Sequence, residues 1–108
     1  MACPYFYPLA KAEVDRQPAR SPLGVLYRGK CEMGGSADRE ICNFGYARGE
    51  CNAFPPNAEA DAVRFAAIAG KLIFILEKNL SPIRHGDAGV LGGSLRRQAE
   101  VFQEWLKP

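Results

Sequence analysis

With 108 residues, the chain has room for one domain around one modest core. Its 47% hydrophobic and 24% charged residues exclude a disordered tail, and a formal charge of +2 without runs of like charge gives no electrostatic case for nucleic acid or an anionic membrane. The longest apolar run, "AAIAGKLIFIL", is interrupted by Lys71 and is too short to span a bilayer.

The start, "MACPYFYPLAKAEVD", has neither the basic segment nor the unbroken apolar stretch of a secretory signal. A cytoplasmic protein with reduced thiols is therefore expected. Residues 1–22 contain Pro4, Pro8, Pro18 and Pro22, which predict an extended, irregular arm. Tyr5, Phe6 and Tyr7 would turn its aromatic side toward the body. "GVLYRG" (24–29) alternates as a short strand ending near Cys31. "EMGGSADREIC" reads as a turn and then a short helix capped by Ser36 or Asp38, ending near "YARG", where Gly49 suits a left-handed position. "NAFPPN" breaks the chain.

The next segment, "AEADAVRFAAIAGKLIFILEKN", is ambiguous, because its alanines favour helix while Gly70 and the dense "KLIFILE" favour strands. The pattern predicts a hairpin, with strands near 62–68 and 72–78 and a turn at Ala69-Gly70-Lys71. Val63, Phe65 and Ala67 would share one face, as would Leu72, Phe74 and Leu76. A helix over 58–69 followed by one strand is the alternative. "SPIRHGDAGVLGG" reads as loop. "SLRRQAEVFQEWLKP" predicts a helix over 94–107, capped by Ser94, with Leu95, Ala99, Phe102 and Leu106 on one stripe and Trp105 beside it.

The expected fold is α+β in a single domain, 1–108. A small antiparallel sheet, built on the 62–78 hairpin and extended by strand 24–29, packs on the C-terminal helix. Residues 1–56 would form an irregular, cysteine-rich half organised around a metal centre, and residues 57–108 the hairpin and helix.

The metal expectation rests on the spacing Cys3-x27-Cys31-x10-Cys42-x8-Cys51. Structural zinc sites in small domains usually take ligands in close C-x2-4-C pairs, and none occurs here. Four separated thiolates suit a [4Fe–4S] cluster, one per iron. Tyr5, Phe6, Tyr7, Phe44, Tyr46 and Phe54 lie near the cysteines and could shield a bulky cluster, while glycines let backbone N–H groups approach its sulfur. Zn2+ on the same four thiols, two disulfides in any of three pairings, or buried thiols alone are the alternatives.

The runs "CPYFYP", "PLGVLYRGKC", "CNFGYARGEC..FP" and "SPIRHG" resemble a small bacterial family with four separated cysteines. The resemblance spans most of the chain and implies that Cys3, Cys31, Cys42 and Cys51 form one set, an iron–sulfur site, without implying an activity. The chain is also similar to the one-cluster iron–sulfur transcription regulators of actinobacteria. It lacks their central C-x-x-C and basic tail, so DNA binding does not carry over.

Other candidates are weaker. His85, the only histidine, could donate a proton or replace a ligand, but a solvated loop residue is the simpler reading. "GVLGGS" (89–94) could offer N–H groups to an anion, yet matches no phosphate-binding pattern and reads as a flexible loop. Arg96 and Arg97 read as a solvated helix face. No acid/base pair or substrate site stands out, so an enzyme ranks third. The leading expectation is an electron carrier or redox sensor working with a protein partner. A zinc-stabilised interaction module follows it.

Overall fold

The computed structural model describes residues 3–11, 23, 27–32 and 57–106. Cys42, Cys51, the short helix expected between 36 and 49, and Pro18 and Pro22 of the arm lie outside the described residues. The α+β expectation holds. Two small antiparallel sheets are joined by one hydrophobic core and one C-terminal helix.

The first sheet pairs β1 (Phe6–Lys11) with β2 (Tyr27–Cys31), so the strand expected near 24–29 joins the arm and does not extend the 62–78 hairpin. The part of the arm from Phe6 to Lys11 is thus a strand rather than irregular. Proline suits an edge strand, where a missing N–H costs no ladder bond, and Pro8 sits opposite Gly29 beside a register shift. The strand's alternation buries Phe6 and Pro8 and exposes Tyr7 and Leu9. Burying the Phe6 ring stabilises the fold by roughly 2–3 kcal/mol. Gly29 is required here for space. A Cβ at that position would strike the backbone carbonyl of Tyr7 and lie 3.0 Å from the Phe6 ring.

The second sheet is a meander of β3 (Ala62–Ile68), β4 (Lys71–Lys78) and β5 (Ser81–Asp87). The expected hairpin is present with the expected faces: Val63 pairs with Leu76, Phe65 with Phe74 and Ala67 with Leu72. The helix over 58–69 is excluded. Ala69 and Gly70 make a two-residue turn with φ of 52° and 79°, the geometry that matches strand twist in tight hairpins, and Lys71 already belongs to β4.

The loop expected over "SPIRHGDAGVLGG" is corrected. Its first seven residues form β5, an exposed edge strand that tolerates Pro82, and Ala88–Val90 form a 3-10 turn capped by the Asp87 side chain. A second two-residue turn, Asn79-Leu80, joins β4 to β5 with φ of 52° and 67°. Buried Asp61 braces it, accepting the Asn79 N–H at 2.7 Å through Oδ2. Glu77, also buried, is paired at 2.9 Å with Arg64 across the hairpin.

The C-terminal helix α1 (Gly93–Leu106) packs chiefly on β1 and touches β3 and β4 less. This shifts the expected arrangement, in which the hairpin was the helix's main support. Its buried residues are Ser94, Gln98, Ala99 and Val101, with Leu95 and Phe102 partly covered. The predicted stripe fails at its end, where Trp105 and Leu106 are 52% and 43% exposed. Trp105 instead leans on Phe102 at 5.9 Å between ring centres, and Phe102 on Phe65 at 5.8 Å. Phe6, Tyr27, Val63, Phe65, Phe74, Leu76, Ala99 and Val101 meet in one core with Cys3. Among the described residues, no helix is long and apolar enough to cross a membrane.

Candidate metal centre

Two of the four expected ligands lie among the described residues, and the first sheet brings them to one end. Cys3 opens a turn closed by the Phe6 N–H donating to its carbonyl at 3.1 Å. Phe6 is the ladder partner of Cys31, and one residue further the Glu32 N–H donates to the Tyr5 carbonyl at 2.9 Å. Segments far apart in sequence thereby place both cysteines at the Phe6 end of β1–β2. Cys3 is buried, at 7% exposure, and belongs to the core; Cys31 is half-buried and packs on that core, as Tyr5 does.

That pair suits the donor chemistry of a thiolate-bound metal: two sulfurs from different segments, at the edge of an apolar core. Among the described residues no three His, Cys, Asp or Glu side chains gather to hold an ion. A four-thiol centre therefore needs Cys42 and Cys51 brought to Cys3 and Cys31. His85 is not gathered with these thiols. It lies exposed on edge strand β5 opposite Ile75.

The polar groups that fix this end come from α1, and the cysteine pattern does not reveal them. Gln98, fully buried, donates through Nε2 to the carbonyls of Cys3 at 2.8 Å and Phe6 at 2.7 Å. The Arg97 Nε donates to the Pro8 carbonyl at 2.8 Å. Arg97 is thus a tie to β1 rather than a solvated face, whereas Arg96 is exposed and reaches the Leu91 carbonyl at 3.4 Å. These contacts satisfy β1 carbonyls with helix side chains, so α1 blunts an edge that would otherwise invite pairing.

The helix start carries a second correction. Ser94 does not cap α1 through its hydroxyl. It lies inside the helix, and its N–H donates to the Glu32 carboxylate at 2.9 Å. Gly93 has φ of 56°, and a Cβ there would come within 3.0 Å of Glu32 Oε1. Glycine thus admits the carboxylate to the positive end of the helix dipole. The last N–H of "GVLGGS", that of Ser94, meets an anion that the chain itself supplies, from the residue after Cys31.

A cleft of about 210 Å³ borders this end, lined in part by Pro4, Tyr5, Glu32, Glu59 and Arg84. Arg84 and Glu59 form an exposed ion pair at 3.2 Å on its wall. Such pairs contribute little to stability, on the order of 0–1 kcal/mol. On the other side of the helix, Tyr27 lines a larger open groove with Arg97 and Glu104. Burial pushes the Tyr27 phenol above its usual value of 10.0; Arg97 opposes the shift and Glu104 adds to it.

Comparison of the chain with family models, with curated proteins and with solved structures gives no match. What the geometry defines is a small α+β domain with two cysteines held at one end of a helix-braced two-stranded sheet.

Proposed function

We propose that this is a small cytoplasmic iron–sulfur protein in which Cys3, Cys31, Cys42 and Cys51 hold a [4Fe–4S] cluster, and that it carries electrons or senses oxidants for a protein partner. The observation that carries this reading is the placement of Cys3. Although 27 residues separate them in sequence, Cys3 and Cys31 share the Phe6 end of the first sheet, and Cys3 is 7% exposed. When bound, such a cluster would supply one-electron chemistry. The chain's own part would be to present thiolates at the Phe6 end of the first sheet and to keep water from Cys3, which is buried in the core.

The test is anaerobic purification. The expected product is brown, absorbs near about 400 nm and carries about four irons per chain. Colourless protein with stoichiometric zinc would replace the proposal with a zinc-stabilised interaction module. A Cys3→Ser variant should lose metal faster than wild type, and protease should cut it sooner between residues 5 and 20. Equal metal content and equal protection would remove Cys3 from the ligand set.

A further inference from the structure

Gln98 holds the main chain on which Cys3 sits, and packing alone does not explain its presence. The side chain is fully buried, and Oε1 has no hydrogen-bond partner among the described residues. An unsatisfied buried amide oxygen is costly, and methionine would fill much the same volume without it. The other end of the amide shows what a glutamine adds. Both Nε2 hydrogens are used, on the carbonyls of Cys3 and Phe6, the two ends of a single turn. Helix and turn are separated by more than ninety positions, 95 and 92 for the two bonds.

We infer that Gln98 is a positioning residue for Cys3: its carboxamide fixes the Cys3–Phe6 turn against α1 so that the thiol stays at the Cys31 end of the sheet. The inference deepens the metal reading and rests on it for Cys3 being a ligand. Glu32 makes a parallel tie, binding the segment after Cys31 to the first turn of the same helix. Docking of α1 and binding at the thiols are then linked, so each favours the other.

The experiment measures thiol alkylation in the reduced, metal-free full chain, with Cys3 and Cys31 resolved by peptide mass. In Gln98→Met, Cys3 labelling should rise roughly tenfold relative to Cys31, because two hydrogen bonds holding the turn are lost. Val101→Ala is the control: it loosens α1 without removing a hydrogen bond to the turn, and the variants are compared in urea at matched stability. An unchanged Cys3-to-Cys31 ratio in Gln98→Met, or an equal rise in Val101→Ala, overturns the inference. Should Gln98→Met not fold, Gln98→Asn, one methylene short of both carbonyls, supports the same comparison. No metal is present in the assay, so its result stands apart from the iron determination. Brown protein with unchanged labelling would sink Gln98 alone, whereas zinc-loaded protein with fast labelling would sink the cluster alone.

Discussion

The two sheets are held together by different means. In the meander β3–β4–β5 each strand pairs with its neighbour in sequence across a two-residue turn, and cross-strand pairs such as Phe65 with Phe74 stabilise it locally. The β1–β2 pair joins strands separated by residues 12–26, and its other side is satisfied by helix side chains: Gln98 on Cys3 and Phe6, Arg97 on Pro8. A region built from neighbours can form by itself. A region built from distant segments forms only when the whole chain has closed, so the cysteine end depends on α1 while the hairpin depends largely on its own residues.

Four substitutions test that contrast. Phe6→Ala should cost the most, about 3–5 kcal/mol, since it empties the point where β1, β2 and the core meet. Urea unfolding reads the loss, and hydrogen exchange should show β2 and the start of α1 losing protection before β4. Equal loss in all three would erase the distinction. Gly29→Ala comes next, at about 1–3 kcal/mol, because its methyl group meets the Tyr7 carbonyl and pushes β1 off β2. Far-UV spectra should keep the meander's contribution.

Tyr27 gives a smaller, alkaline effect. Its raised folded value means that the folded chain keeps a proton the unfolded chain has lost, so this stability is fully present below pH 10.0 and is lost as pH rises through the folded pKa. Stability measured from neutral pH to above 10 should therefore fall less steeply at the alkaline end in Tyr27→Phe; parallel curves would rule out the titration. Leu80→Gly has the smallest effect and the opposite sign. Leu80 is 74% exposed and sits at φ of 67°, so relief of that backbone should raise the urea midpoint by up to about 1 kcal/mol equivalent. An unchanged or lower midpoint would mean the turn is unstrained.

The same contrast governed what could be read in advance. The first hairpin was legible because Ala69-Gly70 marks its turn and the alternation of Val63, Phe65, Leu72, Phe74 and Leu76 fixes its faces. The second was not, because Asn79-Leu80 lacks the glycine that usually marks such a turn and Ser81-Pro82 looks like the start of a loop. The helix was read almost to the residue, but its polar buried face was not. Ser94, Gln98 and Val101 follow helical spacing, yet a stripe containing serine and glutamine does not register as core.

By itself, then, the sequence determined the elements whose partners are close along the chain: the β3–β4 hairpin, the span of α1, and the separation of four thiols that makes a metal the leading expectation. Composition and periodicity carry that information because turn geometry and side-chain alternation act over a few residues. Only the tertiary structure decided that Phe6–Lys11 of the proline-rich arm is a strand, that Cys3 and Cys31 share one end of its sheet, that Glu32 caps the helix, and that Gln98 holds the Cys3 turn. Each of these rests on a pairing between groups apart in sequence, from 16 positions for Lys11 and Tyr27 (27 − 11) to 95 for Gln98 and Cys3. No local preference encodes such a bond; it arises when burial brings a backbone carbonyl or helix N–H out of water and the nearest complementary side chain must satisfy it.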